Sequence, residues 1–485
     1  MKPVQKNKKA RRHTLRWALV LPVLILIYLI TGAILPFVKR PAPGAACTQI
    51  DPADFYSDLP CGERAAIISD NDEALLRRLQ LISQARERII LSSYDFKADE
   101  SGLAVLSALY DAAERGVQVQ IIVDGLNAVT KVQYNPYFQA LSAHKNGEIR
   151  IYNPLKPLFP WRIMGRMHDK YLIADNFAYL LGGRNTHDAF LKNDSATMCH
   201  DWDMLVYTGQ AEQSTSLDAL HTYFSEIWEF EYTKPLSPDD SLGKRARVQR
   251  AAEKLRACFA DLCQEHPEYL EAPDYQALTV PVNQVTLLHN PTGLYAKEPV
   301  VFYALTELML DAKEEVFIHT PYITCNTWML NRLAQVCAKV EQVNLMTNSV
   351  ANNANPLGSM DYYGNRKNIL ATGLTVLEYD AGTSYHGKCL SIDGRLSAIG
   401  SFNMDMRSTY IDTELMLIVD SAELNDILRE KMEQYEARSL TLRQSLSGDI
   451  EALAPAGIEA QSIATGRRIA EFFLRPVLKL IRFLI

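Results

Sequence analysis

The sequence predicts an α/β fold made of two related halves behind an apolar N-terminal helix. Three observations carry that reading. Strand-like and helix-like segments alternate in one order over residues 73–152 and again over residues 300–379. The pattern H-x-K-x-x-x-x-D occurs at His168, Lys170 and Asp175 and recurs 218 residues later at His386, Lys388 and Asp393. Residues 17–38 run for 22 positions without a charge. Strands alternating with helices imply mostly parallel sheets covered by helices. Neither half holds both histidines, so a site that uses the pair lies between the halves, near a pseudo-two-fold axis.

Residues 1–16 carry seven Lys or Arg and no acid. They predict a basic cytoplasmic tail, followed by a single-pass helix over 17–38 that is long enough to cross a cell membrane. The excess of positive charge before the span, against Lys39-Arg40 after it, puts the N-terminus in the cytoplasm and the body outside it. The alternative is a cleaved signal peptide, whose apolar core is shorter, about 7–15 residues. Residues 39–70 read as a juxtamembrane linker. Cys47 and Cys61 lie in it, and Cys258 and Cys263 lie close together further on. An oxidising exterior would let both pairs bridge; the alternative is buried thiols.

The first half occupies 71–235. Residues 73–86 have the spacing of an amphipathic helix and 88–94 read as a buried strand. Residues 102–116 form a helix closed by Gly116, 117–123 a strand ending at an Asp124-Gly125 turn, and 149–152 a short strand before the first motif. Residues 236–290 are a connector with a charged helix over 241–265. The second half, 291–440, repeats the order: helix 300–312, strand 316–320, helix 327–339, strand 343–346 and strand 374–379. In the tail, 441–485, Arg468, Arg475, Lys479 and Arg482 fall within about 60° of one another on a helical wheel. Ile469, Phe473, Val477, Leu480 and Leu484 lie opposite. Such a helix, bent at Pro476, suits an anionic membrane surface; the alternative is docking on the protein core.

The whole chain is ordinary in composition. At 485 residues, 48% hydrophobic and 22% charged, it has ample material for a core. A net charge of −7 argues against nucleic acid as the main partner.

The motifs carry the chemistry. Residues two apart on a strand share a face, so each His and its Lys point the same way. Asp393-Gly394-Arg395-Leu396 reads as a hairpin with a two-residue loop. That register sets His386 opposite Asn403 and Lys388 opposite Ser401, and by analogy His168 opposite Asn185 and Lys170 opposite Gly183. Partners across a strand pair are about 5 Å apart. Each hairpin then offers an imidazole, an ammonium and an amide on one face, which suits a phosphate: Lys170, Lys388, Asn185 and Asn403 for the oxygens, and the histidines to attack or protonate. A solvated strand surface is the plain alternative for one copy, and two copies with both asparagines argue against it. A metal site would need three or four His, Cys or carboxylate ligands, and lysine is not one. Asp175 and Asp393 sit at the hairpin ends, away from that face, and read as structural members of the motif. Each imidazole needs a carboxylate to fix its tautomer. Glu414, at the start of the 415–419 strand, and Asp203, before the 204–207 strand, are the expected orienting residues.

These residues resemble the phospholipase D superfamily, and within it bacterial cardiolipin synthases. Gly183-Arg184-Asn185, the run from Gly400 to Thr409 and the run from Thr347 to Asn352 carry the resemblance. Thr186 and His187 depart from that branch, where an apolar residue and a glycine are common. The resemblance implies a duplicated phospholipase D-like α/β/α sandwich whose halves share one active site. It also implies two chemical steps: one histidine forms a phosphohistidine, while the other protonates the leaving alcohol and deprotonates the incoming one; His168 is assigned the first role and His386 the second, and the near symmetry of the motifs also allows the reverse. No metal or cofactor is required, because the lysines supply the charge. The expected substrates are phospholipids in an anionic membrane, with transfer of a phosphatidyl group to phosphatidylglycerol. The alternatives are hydrolysis of phospholipid or single-stranded nucleic acid, and a non-catalytic membrane scaffold.

Overall fold

Three parallel strands form the spine of each half, and apolar runs on both of their faces explain why. In the first half these are Arg88–Ser93, Gln118–Asp124 and Gly147–Tyr152. In the second they are Glu315–His319, Gln342–Asn348 and Thr375–Tyr379. The computed structural model describes residues 4–485 apart from 210–214, 238–240, 354, 446, 463–472, 475–477, 479–480 and 485.

Each spine belongs to a nine-stranded sheet that is mixed, not mostly parallel. The motif hairpins, Tyr171–Ala174 with Ala178–Gly182 and Cys389–Ile392 with Leu396–Gly400, pair antiparallel with the spine. So do the return strands Asp203–Tyr207 and Leu415–Asp420 with the hairpins. Within each hairpin a three-residue loop joins the two strands, too short for the crossover that a parallel pair needs. The inner faces of both sheets and the helices Thr215–Glu229 and Ala422–Glu436 share one core, with Ile90, Ile173, Met204, Phe317, Ile399 and Leu417 in it. Separate cores back each sheet on its outer side.

The hairpins correct the expected register by one residue. Ala174 pairs with Ala178 and Ile392 with Leu396, so both loops have three residues. The cause lies in the motif aspartates. Asp175 and Asp393 take up left-handed backbone, at φ 46° and 50°, in which their carboxylates turn back to accept three backbone N–H groups each. Asp175 takes those of Arg86, Glu87 and Arg88 at 2.7–2.9 Å; Asp393 takes those of Lys313, Glu314 and Glu315 at 2.7–3.0 Å. Lys388 therefore lies across from Gly400, not Ser401, with the Gly400 N–H donating to the Lys388 carbonyl at 3.4 Å. The ladder begins only after each lysine, which leaves each His and Lys on the chain leading into the strand.

The spans also shift. Arg64–Ile68, expected in the linker, is a strand paired with Asp203–Tyr207. Gln284–His289, Ser439–Gln444 and Ile450–Leu453 belong to the second sheet, which thus reaches beyond 291–440 on both sides. Asp124 does not merely turn the chain; its carboxylate caps the helix Gly125–Lys131. The connector helix Ala246–Glu265 lies on the first half, where Arg256 Nε donates to Glu114 Oε1 at 2.7 Å. All eight cysteines are free thiols. Cys258 and Cys263 share that connector helix, and positions five apart on a helix point about 140° away from each other.

The N-terminal helix runs Val4–Val38, and its Val20–Val38 stretch is apolar enough to cross a membrane. Its end docks on the body, with Phe37 buried in the second half's outer core. The tail returns to the same region. Arg482 donates to Asp361 Oδ1 at 2.6 Å and Leu484 is buried, which corrects the expectation that Arg482 faces a membrane. Arg468, Arg475, Lys479, Ile469, Val477 and Leu480 lie outside the described residues.

Candidate active site

Each motif histidine is held by the opposite half. Met167 bridges in parallel to Thr413, and the His168 N–H donates to Thr413 Oγ1 at 3.1 Å. In the related position Ser384–Tyr385 pairs in parallel with Cys199–His200, and the His386 N–H donates to the His200 carbonyl at 2.7 Å. The side chains follow the backbone. His168 Nδ1 donates to Glu414 Oε1 at 2.9 Å, and His386 Nδ1 donates to Asp201 Oδ2 at 2.6 Å. A neutral imidazole that donates from Nδ1 keeps its lone pair on Nε2.

Asp201, not Asp203, is therefore the carboxylate beside His386. Asp203 lies on the same face of its strand as Leu205, towards the outer helices. There it pairs with Arg78 at 2.8 Å and Arg184 at 3.4 Å. Sheet register explains the error. Gly182 pairs with Asp203 and Gly400 with Met416, so Asp203 matches Met416 and Asp201 matches Glu414. The signal was present in the alternation: Trp202, Met204 and Val206 face the shared core just as Leu415, Leu417 and Val419 do. In both copies the acid stands immediately before that alternation.

His168, His386, Asn185 and Asn403 line one cavity of about 390 Å³. Tyr94, Phe190, Tyr322, Arg407 and Asp412 complete much of its wall. Asn185 Oδ1 accepts from the Asp95 N–H at 3.2 Å, while Asn403 Oδ1 is buried with no hydrogen-bond partner among the described residues. The lysines sit behind the histidines. Lys170 Nζ donates to the His168 carbonyl and lies 5.4 Å from the Tyr94 ring centre. Lys388 Nζ donates to the His386 carbonyl and lies over the edge of the ring, 2.7 Å from His386 Nδ1 and 3.2 Å from Nε2. Asp175 and Asp393, occupied with backbone amides, are remote from the cavity wall. A larger cavity, about 720 Å³, opens between the helices Glu100–Glu114 and Ala246–Glu265. It holds none of the motif residues, so size does not mark the chemistry here.

Burial sets the protonation states. It lowers His168 well below its ordinary value, helped by Lys170 and Lys388, and lowers His386 to about 4, helped by Lys388. Both rings are thus neutral in the empty site, as a nitrogen nucleophile must be. Burial also brings Lys170 down to about 7 and lifts Glu414 to about 7. A bound anion favours the charged lysine. We expect sulfate binding at pH 8 to take up close to one proton, read by calorimetry in buffers of different ionisation enthalpy. Lys170→Met should abolish the uptake; unchanged uptake in that variant would assign the proton to another group.

The family described as cardiolipin synthase, PLD-like domain, matches residues 79–228 and 305–435, one stretch in each half. The chain belongs to that family. Relatives of this cardiolipin synthase-family chain include an uncharacterized protein of Helicobacter pylori strain 26695, 28% identical over 80% of this chain and 82% of its own length. Cardiolipin synthase C of Escherichia coli K12 is 24% identical over 75% of this chain and 83% of that protein. Among solved structures, phosphatidylserine synthase of Haemophilus influenzae superposes with a TM-score of 0.59 at 17% identity, covering 87% of this chain and 95% of that one. That likeness is one of fold.

Proposed function

We propose that the protein is a membrane-anchored phosphatidyltransferase that moves a phosphatidyl group onto phosphatidylglycerol. The observation that carries the proposal is the pair of neutral imidazoles, each oriented by a carboxylate of the other half and both facing one cavity. The names of relatives called cardiolipin synthases in Escherichia coli and Staphylococcus epidermidis support the choice of product.

In the first step His168 Nε2 attacks phosphorus, and the bond from phosphorus to the donor's alcohol oxygen breaks. The alcohol leaves with a proton from His386. In the second step His386 takes the proton of the acceptor hydroxyl, whose oxygen attacks phosphorus as the P–N bond breaks. Both imidazoles are held at the ring and at the backbone N–H, so exposure is what separates their roles. His386 suits proton traffic because its side chain is 23% exposed against 11% for His168. The substrate's negative charge raises the pKa of His386, so that it can carry the proton it must give. Lys170, Lys388, Asn185 and Asn403 hold the phosphoryl oxygens, through charge-assisted bonds in the case of the lysines. Transfer outruns hydrolysis only where the site opens to lipid and excludes water, which the apolar helix at the N-terminus favours. By the charge difference across that helix the body lies outside the cytoplasm.

Full-length protein in liposomes of phosphatidylglycerol should yield cardiolipin and glycerol, resolved by mass. Phosphatidic acid as the sole lipid product would make the protein a hydrolase. Digestion of a single-stranded DNA control with no lipid product would overturn the proposal.

A further inference from the structure

Residues 153–166, which lead from the strand Gly147–Tyr152 into the first motif, form a loop closed at its neck. Asn153, at φ 44°, donates from Nδ2 to the carbonyls of Arg162 at 2.6 Å and Gly165 at 2.9 Å. The buried Arg166 guanidinium donates to the Gly165 carbonyl at 2.7 Å and to that of Asn153 at 3.2 Å. At the tip, Leu158 is 77% and Phe159 39% exposed. One exposed leucine is commonplace on a soluble protein; its neighbours here are not.

The tip is bonded to the apolar span of the N-terminal helix. Tyr28 Oη donates to the Leu158 carbonyl at 2.8 Å, and its ring meets Trp161 edge-on at 6.4 Å. Gly32 lies so close beneath Pro160 that any Cβ there would collide with the proline ring. Tyr28 stands mid-way along Val20–Val38, ten residues or about 15 Å from the body-side end of that stretch. The hydrocarbon layer is about 30 Å thick. A loop fastened at that depth is inside the layer whenever the helix crosses it.

The loop's backbone is suited to such a place. Irregular chain in hydrocarbon has to satisfy its own polar groups. Here the Phe159, Arg162 and Ile163 N–H groups donate to the carbonyls of Lys156, Phe159 and Pro160 at 2.9–3.1 Å. Pro157 and Pro160 have no N–H to satisfy, and Tyr28 covers the Leu158 carbonyl.

We propose that the tip, Pro157 to Trp161, is a second membrane element, inserted among the acyl chains of the leaflet on the body's side. Its partner is lipid hydrocarbon. The inference rests on the helix spanning a membrane and not on which acceptor the enzyme uses. Its consequence for the site is direct. Met164 at the loop's base accepts from Arg407 Nη2 at 2.6 Å, and Arg407 lines the catalytic cavity. Loop depth therefore sets the height of the cavity mouth relative to the lipid headgroups.

The test uses full-length protein reconstituted in vesicles. Leu158→Trp adds one indole, whose emission is the difference from the unmodified protein. Phospholipids brominated on the acyl chain should quench most of that added emission, and aqueous acrylamide little of it. Quenching by acrylamide with none by brominated chains would overturn the proposal. In a second arm, Leu158→Asp with Phe159→Asp should lower lipid turnover about tenfold and leave cleavage of a soluble phosphodiester unchanged. Equal losses on both substrates would point to a loop that only supports the fold. A protein inactive on every substrate would fail the proposed function, while the quenching result would still stand.

Discussion

Turnover should fall by roughly four orders of magnitude or more when either His168 or His386 is replaced by alanine. The two side chains belong to different halves, yet they line one cavity of about 390 Å³, so they act on one phosphorus. Groups that act as a unit lose nearly everything with the first deletion, and the double variant should be hardly slower than either single one. The roles separate with a substrate whose leaving group needs no proton, such as a p-nitrophenyl phosphodiester. His386→Ala should keep a burst of p-nitrophenol on that substrate, because His168 can still attack. His168→Ala should show none. Initial rates in liposomes, with near-UV circular dichroism to verify packing, are the measurement. Substantial turnover in both alanine variants would end the covalent mechanism.

Asp201→Asn should cost about 10²–10⁴-fold in kcat, and Asp203→Asn should cost stability instead. An asparagine at 201 can donate to His386 Nδ1, which forces the proton to Nε2 and removes the lone pair from the cavity side. Asp203 is 1% exposed and holds Arg78 and Arg184. Breaking such a buried pair costs about 3–5 kcal/mol, while the rate per folded molecule stays near its starting value. A denaturant midpoint and kcat on each variant decide the matter. If Asp203→Asn slowed turnover and left the midpoint alone, the assignment of the two aspartates would be reversed.

What could be read from the chain was local. The spine strands and their helices lie within a few residues of the expected spans, because apolar spacing and caps such as Asp99 and Asn326 mark them. The motif spacing brought both histidines and both asparagines to one wall. What escaped depends on contacts between distant residues. The hairpin register turned on the left-handed motif aspartates, which reach backbone amides more than 75 positions away. Asp201 escaped because its partner, His386, stands 185 residues further on. Arg482 meets Asp361 across 121 residues, and no wheel diagram of the tail contains that pair. Sheet polarity was misjudged for a different reason: the return strands are joined by loops whose length was visible, but their pairing partners were not.

The exchange of carboxylates between the halves also bears on ancestry. Two identical half-chains around a true two-fold axis would already have formed both histidine–carboxylate pairs. What they could not have done is make the pairs unlike, since one gene would have written both. The fused chain has done so. Beside Asp201 stands Gly183, with no room for a side chain, whereas the matching Ser401 donates to Glu414 Oε2 at 2.5 Å and Ser408 donates to Oε1 at 2.5 Å. Burial alone would push Asp201 up, but Lys388 and His386 outweigh it and hold that carboxyl below its usual range. Glu414 rises to about 7 under burial. One carboxylate thus stays a fixed anion while the other can hold a proton near neutrality. Divergence after duplication thus gives the two imidazoles unlike neighbours before any substrate arrives.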